Sequence, residues 1–281
     1  MSDEVTRRRI GKTPVSVLAF LRLIIERRAL LRELVIRDLR DGYQGSTFAR
    51  WWALFHPLAL ISLYLFVFGN VFTPRLGEKL PEAPDFAVFL LSGLSVWLTV
   101  QMSLVKSASA VVGSTNLVKQ VVFPIELLPV RAVLASLMPM ILAMAATALY
   151  SALRFGIVSP MLPLAFLVVF FLAMTLMGLG LFFAALTVFI RDTREVLQLF
   201  TAAGLFLTPV LYLPGTLPGW FETAIYLNPF SHHVWCLQDV FFHQGLMHPT
   251  AWIGMFAVGP LALWLGVAFF ERTRHNFGDA L

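Results

Sequence analysis

Apolar residues run through this chain in six long blocks, at about 52–72, 86–105, 130–152, 162–189, 195–213 and 251–270, separated by shorter polar stretches. A helix rises about 1.5 Å per residue, so roughly 20 residues cross a hydrocarbon core of about 30 Å. The pattern predicts six transmembrane helices, the fourth long enough to tilt or emerge and the fifth near the lower limit. Ahead of them, residues 16–40 repeat differently. Val17, Leu21, Ile24, Leu31, Leu34 and Val35 recur at spacings of three and four, with Arg22, Glu26, Arg27, Arg32, Glu33 and Arg37 mostly opposite. This is a basic amphipathic helix, suited either to the headgroup plane of a membrane or to packing on another protein surface. The expected fold is an all-α integral membrane chain, with a cytoplasmic tail and interfacial helix over 1–50 and a six-helix transmembrane domain over 51–281.

Two connecting stretches break the simple pattern. Ser114–Pro129 lies in the connection over 106–129 and mixes Lys119 and Glu126 with apolar residues and with Pro124 and Pro129. It is too apolar for an idle loop and too polar for a span, which predicts a short amphipathic helix at the membrane surface and a Pro-punctuated return into the bilayer. The segment 214–250 is half apolar and rich in aromatics. Pro218 opens one short helix towards Leu227; Asn228 as N-cap and Pro229 in the first turn open a second, to about Phe242. Fourteen residues reach about 21 Å, too short to cross. Two short helices re-entering the outer leaflet fit this segment and make it a pore-mouth candidate.

Charge fixes the orientation. Eighteen of the 21 Lys and Arg fall on the N-terminal side of the first span and on the loops that share its side. The other three, Arg75, Lys79 and Arg154, fall opposite. The positive-inside rule then puts both termini in the cytoplasm. Of the 281 residues, 58% are hydrophobic and 13% charged, with mean hydropathy +0.80, so lipid is the solvent for much of the surface. The pI of about 9.7 follows from topological, lipid-facing cations, and no nucleic-acid partner is expected. One cysteine, Cys236, allows no internal disulfide, and the N-terminus lacks the apolar core of a cleaved signal peptide.

The chemistry that is missing narrows the function. Within the blocks there is almost nothing ionisable beyond Arg131 and Glu195 at their inner edges, which argues against ion-coupled transport and against a membrane enzyme. No catalytic residues are expected. Gly11-Lys12-Thr13 imitates a P-loop, but Thr6 stands where the first glycine is required, so no ATP site is expected in this chain. His232, His233, His243 and His248 with Asp239 form the best polar cluster. Adjacent histidines diverge by about 100° on a helix. The pair His232 and Asp239 lacks an evident third ligand, so no metal site is expected. Trp51, Trp52, Trp220, Tyr226, Trp235 and Trp252 fall near the interfaces. They read either as an aromatic belt or, for Trp220, Phe221 and Tyr226, as rings on which sugars stack. A transporter architecture without an ion site or an ATP site needs energy from a separate subunit docked on the cytoplasmic face, where Ser114–Pro129 is the best-shaped element.

Four blocks now carry a resemblance. Tyr43-Gln44-Gly45-Ser46 with Trp52 and Pro57 precede and open the first span. Asn116-Leu117-Val118-Lys119 with Phe123-Pro124 and Pro129 form the second block. Arg191-Asp192, Thr208-Pro209-Val210 and Tyr212 form the third, and Leu227-Asn228-Pro229 the fourth. In this order and topology the chain resembles the membrane subunit of ABC-type polysaccharide exporters, the type-2 exporter permeases for O-antigen, capsule or teichoic acid. It departs from them at Gln44, Ala49, His56 and Gln120, where that family often has a basic residue, Gly, Asn and a second basic residue. The departures bear on which polymer is carried, not on the fold.

The resemblance implies a homodimer with two ATPase subunits in the bacterial cytoplasmic (inner) membrane, ATP and Mg being bound by the ATPase and no cofactor by this chain. The cargo it implies is a polysaccharide on undecaprenyl diphosphate, passing between the two copies. A coupling helix around Ser114, Asn116, Leu117, Val118 and Lys119 would seat in an ATPase cleft. Trp220, Phe221, Tyr226, Asn228 and Pro229 would line or gate the path. Arg37, Arg40 and Arg50 would attract the lipid diphosphate, or anchor to anionic headgroups of membrane lipids. Two alternatives stand beside it: a type-2 ABC permease for a drug or lipid, and an integral-membrane glycosyl- or acyltransferase, which predicts interfacial carboxylates or histidines. Aromatic content and the Asn-Pro hairpin favour a polymer.

Overall fold

The computed structural model describes residues 17–41, 55, 58–60, 62–64, 66–67, 86–115, 123–156, 158–212 and 218–280. Their regular structure is helical, with no strand among them. In chain order the helices are α1 (Val17–Glu26), α2 (Arg28–Asp41), α3 (Phe86–Ala110), α4 (Leu127–Phe155), α5 (Ala165–Phe189), α6 (Thr193–Gly204), α7 (Gly219–Leu227), α8 (Pro229–Gln238), α9 (Pro249–Thr273) and α10 (Phe277–Ala280). Single 3₁₀ turns extend α3 to Ser114, introduce α5 at Leu162, extend α6 to Leu207 and extend α9 to Asn276.

Four of these helical segments are long and apolar enough to cross a membrane: Phe86–Ala110, Leu127–Phe155, Leu162–Phe189 and Pro249–Asn276. They correspond to the second, third, fourth and sixth expected spans. The first, at 52–72, lies mostly outside the described residues. The fifth differs. Instead of a span over 195–213, α6 and its 3₁₀ turn stop at Leu207. Thr208 is extended (φ −125°, ψ 154°) because the residue before a proline avoids helical geometry, and Pro209 would collide with the carbonyl four residues back.

The bundle is built around α3, whose apolar window is the most enclosed of the four. Trp97, on α3, is 1% exposed and is among the largest fully buried side chains. Lipid supplies no hydrophobic drive for helix association, so close approach matters more. Gly178 on α5 and Gly266 on α9 provide it: a Cβ on Gly178 would overlap the Ala262 carbonyl, and one on Gly266 would overlap the carbonyl of Gly178. Of the buried hydroxyls on α3, Ser92 bonds back to Phe89 O and Thr99 to Ser95 O, so these two polar groups cost little inside the bundle.

The amphipathic helix forms as two pieces meeting at Arg27. Phe20, Leu31 and Leu34 are buried in one cluster with Val130 of α4, Leu181 of α5, Phe270 of α9 and Phe277 of α10. The apolar face thus packs on the ends of the protein's own long helices, while Leu18 and Ile25 remain exposed.

Candidate functional site

The connection between α3 and α4, at one end of the bundle, is anchored on both sides. The 3₁₀ turn Val112–Ser114 presents the Ser114 hydroxyl, which accepts from Arg131 Nη2 at 3.2 Å. Arg131, in the second turn of α4, also faces Asp38 of α2, with Nε to Oδ2 at 3.6 Å. At the other side, Glu126 just before α4 pairs with Arg274 just after α9. Pro129 falls in the first turn of α4, where its missing N–H has no intrahelical partner to lose. Four residues expected to make the coupling helix, Asn116, Leu117, Val118 and Lys119, lie outside the described residues; Ser114 is described and is the anchor.

A cavity of about 610 Å³ runs along α3. It reaches from Leu91 to Lys106, about 22 Å along the helix axis, and is closed by α4 around Pro139 and by Gln198 of α6. Tyr64, Ser95, Thr99, Gln101, Lys106 and Gln198 give it polar positions on a mostly apolar wall.

The opposite end is organised by α7 and α8. Asn228 makes the corner between them: its Oδ1 accepts from Phe230 N at 3.0 Å, capping α8, and its Nδ2 donates to Leu207 O at 3.0 Å. Gln238 Nε2 donates to Pro209 O at 2.9 Å and Trp97 Nε1 to Thr201 O at 3.1 Å. Three side chains thus hold the end of α6 and the Thr208-Pro209 break. Gly204 gives the Trp97 ring its place, since a Cβ there would overlap it. The two short helices of this hairpin are unequally covered. α8 is buried from Phe230 to Gln238 apart from the half-buried His232, against α3, α5 and α9, whereas α7 is largely exposed. Backbone at such depth is tolerated where protein covers it.

Of the expected path residues, Trp220 (74% exposed) and Tyr226 (51%) are open to the surroundings. Phe221 is half-buried against Tyr212, with ring centroids 5.8 Å apart. Asn228 and Pro229 serve the corner. Arg37 and Arg40 are exposed on α2; Arg50 lies outside the described residues.

His233 is fully enclosed, and burial holds it down at about 4, hence neutral. The Pro229 carbonyl, 3.2 Å from Nδ1, can only accept, so Nδ1 carries the proton and Nε2 faces the Thr175 hydroxyl at 3.3 Å. Asp239, also 0% exposed, accepts from His248 N (3.0 Å), His248 Nδ1 (2.7 Å) and Trp252 Nε1 (3.1 Å). The sequence spacing offered Asp239 only His232; the fold brings it His243 and His248 instead.

Four long apolar helices and a mostly apolar groove along the central helix are those of a multi-pass membrane protein. The chain belongs to the ABC-2 type transporter family, whose pattern it matches over residues 29–242. That family is the membrane permease part of the transporter, distinct from the ATPase. The chain is similar to the O-antigen export system permease protein RfbA of Myxococcus xanthus, 26% identical over 270 residues that cover 94% of this chain and 100% of the relative. It is also similar to the protein of the same name from Klebsiella pneumoniae, 23% identical over 259 residues that cover 90% and 95%.

Proposed function

We propose that this chain is the permease of an ATP-driven exporter that moves a lipid-linked, O-antigen-like polysaccharide across the bacterial cytoplasmic membrane. It works as a homodimer with two ATPase subunits, which bind ATP and Mg. The observation that carries this reading is the similarity to O-antigen export permeases over nearly the full length of both chains. The groove along α3 suits an amphiphilic cargo: its apolar wall accepts lipid, and Ser95, Thr99, Gln101 and Gln198 offer hydrogen bonds to sugars. Arg37, Arg40 and Arg50 meet the lipid diphosphate at the cytoplasmic face. Six helices cross the membrane, the first within 52–72 and the fifth through α6 and the residues after it. Trp220, Phe221 and Tyr226 meet the polymer at the outer mouth, with Asn228 and Pro229 setting the corner of the gate. The segment through Ser114, Asn116, Leu117, Val118 and Lys119 receives the ATPase.

The test is co-expression with an ATPase subunit of a polysaccharide exporter in a strain lacking its own polysaccharide permease. Surface polymer should reappear. Replacing Asn116–Lys119 with alanines should leave the protein in the membrane and ATP hydrolysis running while surface polymer is lost. Full export by that variant removes the coupling role. Transport of a drug or a free lipid without any polymer identifies the alternative cargo class and removes the polysaccharide reading.

A further inference from the structure

The end of the outer hairpin is shaped unlike the rest of the bundle. α8 does not stop at Gln238 but widens into a π turn, Asp239–His243. Gln244 then takes a left-handed conformation (φ 53°), its N–H closing on the Asp239 carbonyl. The chain therefore folds back, and His248, the residue before α9, returns over Asp239. One ligand-type atom from each of Asp239, His243 and His248 lies within 4.8 Å of the other two. Single π turns of this kind are frequent at functional sites.

Two features separate this group from an ordinary helix-terminus contact. The first is an unmet need: His243 Nε2 is buried and has no hydrogen-bond partner among the described residues, although buried polar atoms are nearly always satisfied. The second is support from behind. Trp252 Nε1 holds Asp239 Oδ2 at 3.1 Å, leaving Oδ1 towards His248, and the Trp235 ring stacks on His248 with centroids 5.7 Å apart and planes 12° apart. Outer contacts that fix a carboxylate oxygen and an imidazole plane are the usual surroundings of metal ligands.

We propose that Asp239, His243 and His248 bind one divalent transition-metal ion of the zinc class, which staples the outer hairpin to the start of α9. Two imidazoles and one carboxylate suit Zn²⁺, Co²⁺ or Ni²⁺, while Ca²⁺ and Mg²⁺ prefer oxygen alone. Bonds of about 2.0 Å put the ligand atoms around such an ion roughly 3.3 Å apart. The separations here, from 2.7 Å between Asp239 Oδ1 and His248 Nδ1 to at most 4.8 Å, bracket that value. The ion takes the place of the proton between Oδ1 and Nδ1. His248 moves its ring proton to Nε2, freeing the Nδ1 lone pair, and Asp239 stays ionised. His243 supplies the third bond, and water completes the shell.

The probe is the full-length chain, free of any histidine tag, in lipid nanodiscs and stripped with EDTA. Zn²⁺ is titrated by calorimetry and Co²⁺ by visible absorption. Wild type should bind one ion per chain, show the ligand-field bands of a low-coordinate nitrogen-oxygen site, and melt higher with Zn²⁺, reversibly by EDTA. His243→Gln should melt close to wild type when stripped, because His243 Nε2 has no hydrogen-bond partner among the described residues to lose, while His243→Ala also gives up the ring contacts with Phe242 and His248 and should melt somewhat lower. They should lose affinity by more than the roughly 10–100-fold that removal of an outer contact costs. Absence of saturable binding by wild type overturns the proposal. So does equal binding by both His243 variants.

Discussion

Asn228 does two things with one amide. Its oxygen caps α8 through Phe230 N, and its nitrogen reaches Leu207 O in the 3₁₀ turn after α6. The two parts separate by substitution. Asn228→Asp keeps the acceptor and loses the donor; Asn228→Ala loses both. Each contact is worth about 1 kcal/mol, so the aspartate variant should be destabilised by about 1 kcal/mol and the alanine by about 2 kcal/mol. Thermal unfolding in detergent measures the order, and equal melting temperatures for wild type and Asn228→Ala would remove the anchoring role. This corner was legible in the sequence because capping is local: Asn-Pro needs only its neighbours to act. Asp239 was not. Its partners His243 and His248 depend on a π turn that advances the helical phase and on the left-handed Gln244, neither of which a 3.6-residue repeat expresses.

At the scale of elements, four spans read directly from hydropathy because a long apolar run has one solution in lipid. α6 did not, because averaging over 195–213 smooths across the break at Thr208-Pro209 that ends the helix. Register between helices was equally hidden. Gly178 and Gly266 look like two glycines among many, yet they mark the tightest approach of the α5 and α9 backbones among the described residues, closer than that of Gly259 to the Phe171 carbonyl. The obstacle to a side chain there is backbone, which cannot rotate away. Gly178→Val or Gly266→Val should therefore exceed the usual overpacking cost of about 1–3 kcal/mol and sharply reduce the yield of monodisperse protein. Gly219→Ala, where nothing lies within 4 Å of the added carbon, is the control and should behave as wild type. If the two valine variants purify and melt like the control, α5 and α9 do not cross at these residues.

At the scale of the molecule, α9 joins the two ends. Arg274, just beyond its C-terminus, pairs with Glu126 at the end of the α3–α4 connection. His248 and Trp252, at its N-terminus, hold Asp239 at the end of the hairpin. Between them α9 crosses α5 closely at Gly178 and Gly266. A continuous line of contacts therefore joins the α3–α4 connection to the hairpin without passing through the groove. Spatial continuity alone does not establish coupling, so the charge pair is the place to test it. Arg274→Glu sets two carboxylates against each other and should lower polymer export while the protein still assembles with its ATPase. Glu126→Arg should do the same. The double variant restores opposite charges in exchanged positions and should recover most of the export lost by either single change. If the double variant is no better than the singles, or if Arg274→Glu exports normally, force reaches the outer hairpin by another route, and the anchor from Ser114 through Arg131 to Asp38 becomes the element to break next.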